Sequence, residues 1–242
     1  MTQLLVYESV VPLTSERHGK LFVEVGSYAF SAKINSVPLM AVEFPAAAEE
    51  YVIVFTAAKD SVIPVVLLGL RNNENLFVTG GDWNARYKPA FVRRYPFVFT
   101  PAPDGKGLIL CVDEAFAGLN PEGRGQQLFG SDAKPTEYVN SVLKFSQEYF
   151  TQFRRTTAFC KTLVDLGLLS QMQAQVELPN KEKISLRGFS VIDREKLQAV
   201  PEKVLADLLK SGQLELIYLH LQSMRRLSLL RERVDPDAVS LN

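Results

Sequence analysis

Short apolar runs dominate the first half of the chain. Residues 21–25, 51–56, 62–70, 75–78 and 108–112 are rich in Val, Ile, Leu and Phe, and Gly, Pro, Asn or Asp separates most of them. That punctuation predicts strands joined by turns. Residues 62–70 are apolar throughout instead of alternating, which predicts a strand covered on both faces. Two short helices interrupt the strands: one over 45–50 beginning at Pro45, and one over 85–94 ending ahead of Pro96. Residues 115–133 are rich in Gly, Asp, Asn and Pro, and within them 118–125 is expected to be the most mobile loop.

The second half changes period. From Pro135 to a Gly167 cap, Val139, Val142, Leu143, Ser146, Phe150, Phe153, Cys160 and Val164 recur at helical spacing, so one stripe of a long helix should face a core. Thr156 and Thr157 mark where it would bend. Residues 173–178 and 184–191 alternate apolar and polar, as a β-hairpin with one solvated face does. A helix from Pro201 to Gly212 follows. A last helix carries Leu214, Ile217, Tyr218, Leu221 and Met224, widened by Leu216, Leu219 and Leu227, and should be largely buried. The tail from Arg231 is polar and expected to fray. Together these elements predict one α+β domain over 1–242: a strand-rich part to about residue 130, then a helical part with a hairpin.

Composition narrows the function. The 242 residues are 47% hydrophobic, enough for a sizeable core without staples. Lys plus Arg balance Asp plus Glu at 27 each, so the whole molecule has no pull toward nucleic acid or an acidic membrane. No run approaches the roughly twenty apolar residues of a membrane-spanning helix, and the first residues lack the pattern of a signal peptide. A cytoplasmic protein is expected. The two cysteines, Cys111 and Cys160, sit among apolar neighbours and read as buried free thiols.

Catalytic motifs are sparse. Neither His18 nor His220 is followed two residues later by an acid, and there is no His-Glu-x-x-His or paired-cysteine spacing, so no metal site is expected. Neither a nucleophile elbow nor a dinucleotide or phosphate-binding glycine loop occurs, and no cofactor is expected. His220, inside the apolar last helix, reads as buried and hydrogen-bonded; the alternative is a ligand-touching group. His18 lies in a polar stretch and reads as solvated. Asp113 and Glu114 end a strand and read as a solvated turn, with acid–base chemistry as the alternative.

The run 85–99 interleaves Arg86, Lys88, Arg93 and Arg94 with Tyr87, Phe91, Tyr95, Phe97 and Phe99, and Trp83 precedes it. As a recognition surface, its arginines would fork onto carboxylates or phosphates and its tyrosines would anchor a partner. As a structural element, its phenylalanines would be core and its arginines would bridge internal acids. The candidate binding residues are Trp83, Arg86, Tyr87, Phe91, Arg93, Arg94, Tyr95 and His220. A single patch without a recognised module is thin support for nucleic acid, so a peptide or protein is the expected partner. Homo-oligomerisation stays open.

Several segments carry a family likeness: residues 34–44 (INSVPLMAVEF), 67–71 with 74–78 (LLGLR, ENLFV), 89–97 (PAFVRRYPF), Gly188-Phe189 with 191–193 (VID), and 216–223 (LIYLHLQS). In this order they resemble the bacterial SapC-like family across nearly the full length. The likeness includes Cys111 and Cys160. Lys33 stands where Gly is usual, and Asn180-Lys181 where Asp-Gly is common. The resemblance implies association with a surface-layer locus and brings no catalytic residues with it. Related genes beside outer-membrane receptors and flavin-dependent halogenases imply an accessory role in peptide or nutrient handling. The leading expectation is a non-catalytic binding or accessory protein that uses the Arg86–Tyr95 region. The alternatives are a peptide-modifying enzyme using His220 or Asp113 and Glu114, and an exported surface-layer component.

Overall fold

The computed structural model describes residues 4–58, 61–102, 105–178 and 181–234. In chain order, the elements of the first half are β1 (Val10–Pro12), α1 (Ser15–His18), β2 (Phe22–Val23), β3 (Ser36–Pro38), α2 (Phe44–Ala47), β4 (Val52–Ala58), β5 (Ser61–Leu67), β6 (Val78–Thr79), β7 (Asp82–Trp83), α3 (Ala90–Arg93), β8 (Phe97–Pro101), β9 (Leu108–Asp113), β10 (Leu119–Asn120) and β11 (Gln126–Gln127). The rest are α4 (Glu137–Asp165), β12 (Leu169–Glu177), β13 (Lys183–Ile192), α5 (Arg194–Gln198), α6 (Glu202–Lys210), α7 (Gln213–Ser223) and α8 (Arg226–Glu232). This is an α+β fold, strand-rich first and helical later. The chain divides into two compact units, Met1–Phe30 with Val92–Thr151 and Ser31–Phe91 with Gln152–Asn242.

In the first unit, β1, β9 and β8 form an antiparallel sheet in that order, and β10 and β11 flank β2 in a second small sheet. Its core gathers Val23, Phe97, Val112, Leu128, Phe129 and Val139. The expected strand over 21–25 is reduced to two residues. The expected mobile loop at 118–125 is instead tied down. Asn120 is buried; its Nδ2 donates to the carbonyls of Gly118 and Arg124 at 3.1 and 3.0 Å, and its Oδ1 accepts from the Arg124 N–H at 3.1 Å. Gly125 has φ +85°, and a Cβ there would meet the Val23 carbonyl at 2.2 Å. Gly118 and Gly125 answer to close backbone approach and Gly123 to its positive φ of +84°, which composition alone reads as looseness.

In the second unit the sheet order is β12-β13-β4-β5-β3. Residues 52–55 on β4 and 63–66 on β5 are buried without alternation, as expected for strands covered on both faces. Helices α2, α7 and α8 pack on β4. Phe44, Tyr51, Phe55, Phe77 and Ile217 are sealed, each worth about 2 kcal/mol of burial. Asn75 and Phe77 lie outside the short strand β6: the Asn75 Oδ1 accepts from the Phe77 N–H at 2.9 Å and makes a turn where apolar content predicts a strand. The helix expected over 85–94 contracts to α3, because Pro89 disfavours helical geometry at Lys88.

Helix α4 begins one residue after Thr136, whose hydroxyl accepts from the Val139 N–H at 3.4 Å; Pro135 lies upstream of this cap. Gly167 ends it with φ +64°. Val139 and Ser146 are buried among residues 137–151, and Thr156, Phe159, Cys160 and Leu163 among residues 152–165. The stripe changes register along the helix, which leaves Phe150 and Val164 exposed against expectation. The hairpin of β12 and β13 forms as expected. The last helix is two, α7 and α8, and α7 buries only the narrow stripe Ile217, His220 and Ser223, so Tyr218 is 52% exposed. Both cysteines are buried free thiols. Of the polar tail, residues 235–242 lie outside the described residues.

Replacing Asn120 with Ala removes a buried amide that bridges the Gly118 and Arg124 carbonyls and the Arg124 N–H. Urea unfolding of the variant should show a loss of about 3 kcal/mol.

Candidate functional site

The run that looked most like a binding surface is largely built into the fold. In the second unit, β6 and β7 pair Val78 with Trp83 around the Gly80–Gly81 turn and carry the indole inward, where it stacks on Phe77 with ring centroids 6.3 Å apart. Its Nε1 donates to the Tyr51 hydroxyl at 3.0 Å and the Tyr87 carbonyl at 3.2 Å, and the Tyr51 hydroxyl donates to the same carbonyl. Burial pushes the Tyr51 phenol well above its ordinary pKa. Glu43, 4% exposed, accepts from the Met40 N–H at 2.8 Å, the Ala90 N–H at 2.7 Å and the Tyr87 hydroxyl at 2.7 Å. Phe91 is sealed in the core.

Arg86 differs from these neighbours. Its backbone N–H is clamped on both Glu50 oxygens, at 2.9 and 2.8 Å, and its Nε stands 3.6 Å from the same carboxylate. Its side chain is nevertheless 91% exposed.

In the first unit, Arg93 is exposed with its guanidinium 5.3 Å from the Phe145 ring centre. Arg94 is buried and lies over Tyr149 at 4.8 Å and Tyr7 at 5.6 Å. Tyr95, followed by a cis peptide to Pro96, stacks on Phe30 at 4.2 Å and meets Tyr7 and Phe116 edge-on. Its hydroxyl donates to Asp113 at 3.2 Å, and burial above all, with the Asp113 charge second, raises its pKa.

Asp113 and Glu114 do not form a solvated turn. Asp113 is fully buried and accepts the N–H groups of Glu8 at 3.0 Å, Ser9 at 2.8 Å and Ala115 at 3.1 Å. Glu114 holds Arg17 through two hydrogen bonds, and that guanidinium lowers the Glu114 pKa. The Glu114 Oε1 lies 3.2 Å from the His18 Nε2. His18 is fully buried, contrary to its expected solvation: Thr14 caps α1, and that single turn folds the ring against Glu114, while the Thr14 N–H donates to Nδ1 at 3.2 Å.

His220 is buried and bonded, as read from sequence. Its Nε2 accepts the Ile192 N–H at 3.0 Å and its ring lies 5.1 Å from Phe55. Nδ1 then carries the proton and reaches no acceptor at hydrogen-bond geometry among the described residues. Burial pushes its pKa down to about 4, offset only in part by the Ile53 backbone. With no carboxylate on the ring and no exposure, the version of the enzyme reading that relies on His220 loses its access to a substrate.

Sequence reasoning passed over Glu43, Glu50 and Tyr7, which hold the run in place. Their one signal was position: Glu43 lies inside the family-like stretch 34–44. No group of three His, Cys, Asp or Glu able to hold a metal occurs among the described residues.

Asp113→Ala orphans three N–H groups and should cost about 3 kcal/mol or more in urea unfolding, and Asp113→Asn should recover only part, because its carbonyl oxygen can keep the Ser9 and Ala115 N–H groups while its amide turns a donor toward the Glu8 N–H. For His220, the folded pKa lies below the unfolded value, so the unfolded chain takes up the proton first as pH falls through 6.5 toward 4. Its contribution is therefore complete above that window and lost on acidification. Stability should drop by about 2 kcal/mol between pH 7.5 and pH 5, and His220→Gln should flatten that part of the profile.

The SapC family matches residues 13–230 of the chain. No curated protein and no solved structure matches it. The match spans both units and every residue discussed above from Leu13 to Leu230: this chain belongs to the SapC family.

Proposed function

We propose that this protein is a non-catalytic binding or accessory protein that engages a peptide or protein partner through the exposed arginines of the aromatic–basic run, Arg86 first among them. The observation that carries the reading is the contrast within Arg86: a backbone fixed on Glu50 and a side chain that is 91% exposed, with its Nε 3.6 Å from the same carboxylate. A charged fork on a rigid base loses little freedom on binding, and it suits a carboxylate presented by a partner. Trp83, Tyr87 and Phe91 support this role from within the same unit, while Arg94 and Tyr95 in the first unit and His220 in the second are interior. A place in peptide or nutrient handling belongs to the same proposal, as does the protein's location. No helix among the described residues is long and apolar enough to cross a membrane.

The test is affinity capture of the tagged protein under mild cross-linking, with quantitative mass spectrometry, for wild type, Arg86→Glu and Arg93→Glu. Both side chains are exposed, so the variants should fold, whereas charge reversal at the buried Arg94 would unfold the chain. A stoichiometric partner should weaken at least about tenfold with Arg86→Glu, as for a hot-spot arginine. Equal capture by all three folded proteins would sink the reading.

A further inference from the structure

Strands β12 and β13 pair along their whole length, from Leu169 with Ile192 to Glu177 with Lys183. Only the base of this hairpin is joined to the rest of the sheet. Strand β13 registers with β4 at Ser190 opposite Phe55, whereas β4 and β5 pair from Val52–Leu67 to Ala58–Ser61. Beyond Ser190 the hairpin makes no ladder bond to the sheet among the described residues.

The pairing is irregular at one level, where Arg187 and Gly188 of β13 oppose the single residue Gln173 of β12. The register skips between Met172 and Ala174, and Gly188 on the facing strand has φ +86°. Nothing lies within 4 Å of where its Cβ would be, so glycine is required there for conformation and not for space. A bulge built on a left-handed glycine bends the strand that carries it and increases the local twist.

Past the bend, Ala174, Val176 and Leu178 are buried, and Ala174 and Leu186 pack against the cluster of Val54, Val65 and Leu67. A cleft of about 120 Å³ remains between Val54, Thr56, Val65 and Leu67 of the sheet and Leu186 and Phe189 of the hairpin. Near the hairpin end, the Arg71 Nη2 donates to the Glu182 Oε2 at 2.7 Å. Arg71 is itself braced by Glu74, which accepts its Nη1 at 3.0 Å and the N–H groups of Leu70 and Arg71 at 2.8 and 3.0 Å.

We propose that the arm formed by residues 174–178 and 181–187 is a hinged flap over the sheet cleft, bending at the Arg187–Gly188 bulge of β13 and latched by the Arg71–Glu182 ion pair. Among the described residues the closed arm is held by side-chain packing and the partly exposed Arg71–Glu182 pair, without the backbone ladder that binds β4 to β5. Segments held in this way open at lower free energy than the core. The latch residues are 38% and 46% exposed, so the pair is weak and salt-sensitive, as a releasable contact should be. Opening uncovers an apolar face while leaving the rest of the unit folded. This inference does not depend on the Arg86 reading.

Hydrogen exchange with mass spectrometry on the full chain tests it, comparing wild type with Glu182→Gln in low salt and in 1 M salt. Amides of residues 174–178 and 183–187 should exchange faster than those of β4 and β5 in the wild type. They should speed up a further two- to fivefold, by rough estimate, in the variant or in high salt, with β4 and β5 unchanged. Equal protection of arm and sheet, a joint rise of both, or an arm indifferent to Glu182→Gln would each overturn the flap.

Discussion

A carboxylate taken out of water has to be met by converging donors, and this fold depends on two that are. Asp113 gathers three backbone N–H groups and the Tyr95 hydroxyl in the first unit. Glu43 gathers two N–H groups and the Tyr87 hydroxyl in the second. An unpaired buried charge costs several kcal/mol, so each acid dictates where its donors must be. Asp113 thereby brings residues 8 and 9 to the end of β9, where β1 continues as a ladder. Glu43 sets the turn ahead of α2 and the start of α3. Both acids are buried, and both act as fasteners.

The same economy explains the aromatic–basic run. Aromatic rings bury large areas, and a guanidinium can lie flat on a ring while its stem packs. Arg94 does this over Tyr7 and Tyr149, and Arg233 does it over Phe77 at 4.2 Å. A stretch that composition presents as a surface is thus mostly interior. The exposed remainder is Arg86, whose side chain is 91% exposed although its Nε stands 3.6 Å from Glu50, and Arg93.

Family likeness follows this architecture. The matched stretches around Glu43, Glu74 and Asp193 are those whose carboxylates cap turns: Glu74 the loop after β5, and Asp193 the start of α5 through the N–H groups of Glu195 and Lys196 at 3.0 and 3.2 Å. They keep the scaffold on which the Arg71 latch and the Arg86 fork are mounted.

Hydrophobic period by itself determined the long helix to Gly167, the alternating hairpin, the continuously apolar strand β5, the two thiols and the buried His220, because each is a local pattern read against one neighbouring surface. Tertiary structure decided the rest. His18 and Asp113 are turned inward by partners about a hundred residues away, His18 by Glu114 and Asp113 by the N–H groups of Glu8 and Ser9. The exposed Phe150 and Val164 show the converse: a helix whose two halves bury different stripes cannot be read with one period. Burial of a polar group is set by which distant donors converge on it, and nothing in the local sequence records that distance.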